Sequence, residues 1–96
     1  MTERQYQAQL IRKIKKLFPG CMVLKNDAAY MQGIPDLLVL YRDKWAALEV
    51  KASEQARHRP NQKHYVSKMD RMSYASFIYP ENEDRVLNEI QRSFRA

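Results

Sequence analysis

Residues 37–40 read Leu-Leu-Val-Leu, apolar at four consecutive positions. Successive side chains of a strand point to opposite faces. A strand apolar on both faces belongs inside a sheet, with other elements packed against each side. Residues 34–41 are therefore expected to form such a strand. A further strand-like run, 45–51, follows after Arg42-Asp43 and perhaps Lys44, so it should return beside the first. Around this pair the other elements can be assigned. Residues 2–18 carry Tyr6, Leu10, Ile14 and Leu17 at helical spacing, with Arg12, Lys15 and Lys16 turned outward. Thr2 and Gln5 match a capping box, and Pro19-Gly20 ends the helix. Residues 21–25 read as a short strand and 26–33 as a loop.

Beyond the central pair, residues 52–59 are polar and basic. Pro60 suits the first turn of a helix, which is expected to run to about Met72 on a stripe of Tyr65, Val66, Met69 and Met72. Residues 74–79 form a fourth strand. Pro80 opens a last helix, with Glu81, Glu83 and Asp84 near its positive end and Val86, Leu87, Ile90 and Phe94 on its buried side. The expected order is α-β-β-β-α-β-α, an α/β architecture with a mixed sheet flanked by helices, in one domain spanning residues 1–96.

Composition narrows the function classes. The chain has 96 residues and is 45% hydrophobic, which fits one small core; a shared dimer core would add to it. Its one cysteine, Cys21, excludes an internal disulfide and a cysteine-based zinc site, and fits a reducing, cytoplasmic setting. Cys21 itself is expected to be a small buried apolar residue. No basic-plus-apolar leader precedes the first element, and no apolar run approaches the roughly 20 residues of a membrane span. Lys and Arg number 17 against 11 Asp and Glu, a net charge of +6 that favours a polyanionic partner.

The chemistry concentrates on the two central strands. Glu49 and Lys51 share one strand face, with Leu48 and Val50 on the other. If Arg42-Asp43 is a two-residue turn, Tyr41 pairs with Lys44 and Asp36 stands opposite Glu49, their Cβ atoms roughly 4.5–5.5 Å apart. Arg-Asp is not a favoured pair for so tight a turn, and a longer turn or a bulge is the alternative. Two carboxylates that close repel unless a proton or a cation lies between them. A hard divalent cation such as Mg²⁺ prefers oxygen ligands, so Asp36, Glu49 and the Val50 carbonyl are candidate metal ligands. Phosphodiester hydrolysis uses a metal to polarise a phosphoryl oxygen and acidify water, and an ammonium to offset growing negative charge. Lys51 fits that second role. Asp36 also interrupts an apolar strand directly after a proline, where an unpaired buried carboxylate is costly.

Glu3 lies on the helical face of Tyr6, Leu10 and Ile14, and Gln62 lies one turn before Tyr65, Val66 and Met69. Each has a structural alternative. An acid in a first turn stabilises a helix by about 0.3–1 kcal/mol, Gln62 is a plausible helix-start polar residue, and Glu49 with Lys51 is an ordinary ion pair if exposed. Arg57, Arg59 and Lys63, with His58, are candidates to grip DNA phosphates. His58 and His64 have a spacing found in zinc sites, but without a cysteine pair they are read as polar loop and helix residues. Trp45 is read as core and Tyr30 as a candidate for base stacking, while Met69 and Met72 belong to the core or a dimer interface.

Gly33-Ile34-Pro35-Asp36 followed by Glu49-Val50-Lys51 resembles the signature of the PD-(D/E)XK nuclease superfamily. With Glu3 ahead and Gln62 behind, the chain is similar to the VRR-NUC branch in its small stand-alone, phage-type form, over nearly its whole length. The resemblance implies a restriction-endonuclease-like fold and dependence on Mg²⁺ or Mn²⁺. It makes Glu3, Asp36 and Glu49 the acidic site residues, Lys51 the catalytic lysine and Gln62 the supporting amide. It also implies a homodimer that cuts branched DNA, four-way (Holliday) junctions especially, in a host-cell cytoplasm. The alternatives are a nuclease for flaps, nicks or plain duplex, a non-catalytic basic DNA-binding module, and an interaction adaptor that does not bind DNA.

Overall fold

A computed structural model describes residues 1–95; Ala96, the end of the expected domain span, lies outside them. The elements run α1 (Glu3–Leu17), β1 (Met22–Lys25), β2 (Leu37–Tyr41), β3 (Lys44–Val50), α2 (Gln62–Met72), β4 (Tyr74–Ile78) and α3 (Glu83–Arg95). This is the expected order, in an α/β fold whose four-stranded sheet runs β1-β2-β3-β4. β1, β2 and β3 are antiparallel neighbours, while β4 lies parallel to β3. A parallel return needs a crossover, and α2 supplies it.

The sheet has an apolar cluster on each face. On one, Tyr6, Leu10, Ile14 and Phe18 meet Val86, Leu87, Ile90 and Phe94 over Leu37, Val39, Leu48 and Val50. On the other, Val66 and Met69 of α2 cover Ala47, Ala75, Trp45 and Phe77. The two-faced apolar character of β2 thus has its cause: Leu37 and Val39 face the larger cluster and Leu38 the smaller.

Local chemistry sets the element ends. The capping box is formed: Gln5 N–H donates to Thr2 Oγ1 at 3.1 Å, and Thr2 N–H to Gln5 Oε1 at 2.8 Å. α1 ends at Leu17, one residue before the expected bound, and the last residue of the expected stripe does not face the core. Leu17 is exposed, and Phe18 takes its place in the core. The Phe18 N–H still bonds the Ile14 carbonyl, but its non-helical backbone turns the ring onto Tyr41 and Phe94.

Both prolines expected to open helices instead stand before them. α2 is capped by Asn61, in the left-handed region at φ 70°, with Pro60 in the preceding turn. Before α3, Asn82 organises the turn that holds Pro80, accepting from Tyr79 N–H at 2.9 Å and donating to the Phe77 carbonyl at 3.1 Å. A prepaid φ suits a proline to a tight turn as well as to a first helical turn. Met72 is exposed, beyond the α2 residues that meet the sheet, while Trp45 packs into the smaller cluster as expected.

The β2–β3 turn is the two-residue form. Tyr41 pairs with Lys44, and the ladder continues to Leu37 opposite Leu48. Arg42 accepts a left-handed φ of 58° to make it, and its guanidinium lies 5.0 Å from the Tyr41 ring centroid. β2 begins at Leu37, later than the expected position 34, because Pro35 has no N–H to give a ladder. Asn26 instead braces this approach, donating Nδ2 to the Pro35 carbonyl and its backbone N–H to the Asp36 carbonyl, both at 2.8 Å. No helix among the described residues is long and apolar enough to cross a membrane.

Candidate active site

The register that pairs Leu37 with Leu48 puts Asp36 and Glu49 next in line at the end of the hairpin. Asp36 Oδ2 accepts from the Val50 N–H at 2.8 Å. In a strand the N–H and carbonyl of one residue face the same neighbour, so the Val50 carbonyl lies toward Asp36 as well. Glu49 and Lys51 project on the α2 side, opposite Leu48 and Val50, as alternation requires.

Lys51 and Glu49 are not a surface pair. They are 4% and 2% exposed, with Nζ 4.0 Å from Glu49 Oε2. Gln62, the first residue of α2 and itself buried, joins them. Its Oε1 accepts from Lys51 Nζ at 2.8 Å, and its Nε2 donates to Glu49 Oε2 at 3.1 Å. Arg59 N–H adds a second bond to Gln62 Oε1, and the Arg57 carbonyl accepts from Lys51 Nζ at 3.1 Å.

Glu49 Oε1 is buried and has no hydrogen-bond partner. Burial foremost, then a shared proton and charge repulsion with Asp36, push the Glu49 carboxyl up to about 9; Lys51 opposes this and Glu3 adds to it. A proton on Glu49 relieves the orphaned oxygen by bonding Asp36, and a cation between the two carboxylates relieves it equally well.

These groups open into a cavity of about 590 Å³, lined by Glu3, Asp36, Glu49, Lys51 and Gln62 together with Arg57 and Arg59. The expected site residues Glu3, Asp36, Glu49, Lys51, Gln62, Arg57 and Arg59 therefore border one space. Glu3 reaches it from the N-terminus of α1, at the end of the sheet, and is exposed. Lys63 does not border this space; it lines an adjoining shallow cavity of about 500 Å³ with His58, Arg59, Pro60, Asn61 and His64. Arg57, Arg59 and Lys63 are all exposed.

Among the described residues, no three or more His, Cys, Asp or Glu side chains are grouped closely enough to hold an ion together. The oxygens that could hold an ion here are those of Asp36, Glu49 and the Val50 carbonyl. Mg²⁺ keeps several waters and commonly takes only one or two protein carboxylates, so this all-oxygen set with an orphaned oxygen fits such an ion. The two histidines do not converge: His58 stacks on Phe77 and His64 meets Tyr65 edge-on.

Two features went unread in the sequence. Gly33 was noted only as part of a motif, yet it packs against the residues just before Gln62. A Cβ added there would sit 2.6 Å from Asn61 Cβ and 2.9 Å from the Pro60 carbonyl oxygen, at a φ of +90°. The lining by Ala28, Ala29 and Gln32 from the loop before it was also unmarked. Both depend on contacts between segments distant in sequence. Comparison with known family models, curated proteins and solved structures finds no match to this chain.

Proposed function

We propose that this chain is a divalent-metal-dependent DNA endonuclease of the VRR-NUC type, with a restriction-endonuclease-like fold. The observation that carries this reading is the meeting of Asp36, Glu49 and Lys51 at one cavity, with Glu49 Oε1 buried and without a donor. A site that only gripped phosphates would gain nothing from two adjacent carboxylates.

Asp36, Glu49 and the Val50 carbonyl would hold Mg²⁺ or Mn²⁺. When bound, such an ion polarises a phosphoryl oxygen and acidifies water. The Lys51 ammonium offsets negative charge growing on the phosphorus oxygens. Gln62 keeps Lys51 and Glu49 at fixed separation, bonding one through its oxygen and the other through its nitrogen. Glu3, exposed at the same cavity, would accept a proton or orient a water. Arg57, Arg59 and Lys63 give the opening a cationic side for backbone phosphates, which position a duplex without reading its sequence.

The finer proposal is a homodimer that resolves four-way DNA junctions. Paired cuts require two active sites, and the described residues of one chain bring Asp36, Glu49 and Lys51 together at one cavity. The deciding experiment is cleavage of matched four-way junction, flap and linear duplex DNAs in Mg²⁺ or EDTA, with wild type and Asp36→Ala. Symmetric cuts confined to the junction, lost in EDTA and in the variant, support the full proposal. Metal-dependent cutting of all substrates keeps the nuclease and removes the junction preference. Binding without metal-dependent cutting of any substrate replaces both with a basic DNA-binding module.

A further inference from the structure

The segment between β3 and α2 carries Arg57 and Arg59 toward the opening, but the residue between them points elsewhere. The His58 ring lies on Phe77, with centroids 4.3 Å apart and planes 8° from parallel. Phe77 is the in-register neighbour of Glu49 across the β3–β4 ladder, so the stack stands beside the buried carboxyl. The residues on either side of His58 hold the rest of the site. The Arg57 carbonyl accepts from Lys51 Nζ at 3.1 Å, and the Arg59 N–H donates to Gln62 Oε1 at 2.8 Å. That same oxygen accepts from Lys51. One ring anchor therefore lies between two backbone contacts, one to the ammonium itself and one to the Gln62 oxygen that accepts from it.

The reason an anchor is needed is the lysine itself. Its ammonium sits on a flexible four-carbon stem with three rotatable donors, and one of its two acceptors belongs to an irregular segment. The peptides of residues 57–59 have no strand ladder or helix to hold them. His58 is exposed overall; desolvation, with the Lys63 and Lys51 charges nearby, lowers its pKa from the ordinary histidine value.

We propose that His58 is a positioning residue for Lys51: stacked on Phe77, it pins residues 57–59 so that the Arg57 carbonyl and the Arg59 amide lock the Lys51–Gln62 pair beside Glu49. The kinetic consequence rests on the nuclease reading; the structural consequence does not.

The test compares the full chain with His58→Ala and His58→Phe. Two quantities are measured: kcat and KM for DNA cleavage in Mg²⁺, and the mobility of the Lys51 side chain by NMR without metal. In His58→Ala, kcat falls on the order of 10–100-fold, because small misplacements of a reacting group are that costly. KM stays within about twofold, since the lost interaction is not a contact with bound DNA. Lys51 becomes more mobile, and His58→Phe restores both readouts by keeping a flat ring on Phe77. The proposal is overturned if His58→Ala cuts at the wild-type rate. It is equally overturned if KM alone rises, or if His58→Phe stays as impaired as His58→Ala, which would assign the imidazole a chemical role. If the wild type cuts no DNA, the nuclease reading falls and the NMR decides alone: greater Lys51 mobility in His58→Ala sustains the pin, and unchanged mobility rejects it.

Discussion

Gly33 and Asn61 touch across 28 positions of sequence, so closely that a Cβ on Gly33 would lie 2.6 Å from Asn61 Cβ. Gly33 also holds a φ of +90°, a conformation L side chains rarely adopt. The contact joins the loop ahead of Asp36 to the residue ahead of Gln62, and so connects two parts of one site. Gly33→Ala should destabilise the fold by roughly 1–3 kcal/mol, from overpacking and backbone strain together. Urea denaturation measures this, and a midpoint equal to wild type would show that the loops separate without cost.

Lys51 is the group whose loss should separate chemistry from binding. Lys51→Ala should abolish metal-dependent cleavage while DNA affinity, measured by anisotropy at fixed salt, changes little. The exposed Arg57, Arg59 and Lys63 remain to hold phosphates. If affinity and cleavage fall together in a variant with unchanged circular dichroism, Lys51 is a binding residue and the catalytic assignment fails.

Gln62 bonds both Lys51 and Glu49. Gln62→Leu keeps the approximate size of the side chain but leaves both buried partners short of a bond. The expected destabilisation is about 1–3 kcal/mol, with a loss of cleavage. A stable and fully active Gln62→Leu would reduce the residue to a helix-start polar group.

Metal should bind without DNA present. Mg²⁺ or Mn²⁺ at about 100 times its Kd stabilises a one-site protein by roughly 2.7 kcal/mol. Thermal unfolding of wild type should therefore shift upward with metal concentration, and the shift should vanish in Asp36→Ala and in Glu49→Gln. An equal shift in all three proteins would place the ion elsewhere.

Cys21, expected to be buried, is only half-buried against the larger cluster, and its titration tests that partial burial. Desolvation raises its pKa, against smaller opposing effects of Lys15 and its own backbone. A raised thiol pKa means less thiolate at a given pH in the folded chain, and thiolate is the reacting form. Alkylation of native protein at pH 8 should thus be slower than of urea-unfolded protein, with a midpoint above the ordinary value of roughly 8.5. A native midpoint at or below that value would contradict the burial.

The element order and both apolar faces of β2 were legible because they are local. Periodicity separates helix from strand, Pro-Gly stops a helix, and a two-residue turn between apolar runs sets a register. That register, carried one residue beyond the ladder, sets Asp36 opposite Glu49. Element ends were less legible: Phe18 replaced Leu17 in the core, and Pro60 and Pro80 fell in turns ahead of their helices. A cap depends on where the chain must turn to meet its neighbours, which no local pattern specifies.

What the sequence by itself determined is which side chains are candidates for the site and that Glu49 and Lys51 share one strand face, since strand alternation admits one arrangement. Only the tertiary structure decided how they are held. Gln62 reaches Lys51 because α2 crosses back over β3 and β4, Glu3 arrives by the end of the sheet, Gly33 meets Asn61, and His58 lies on Phe77. Each contact joins segments distant along the chain, and its geometry follows from packing two apolar faces onto one sheet.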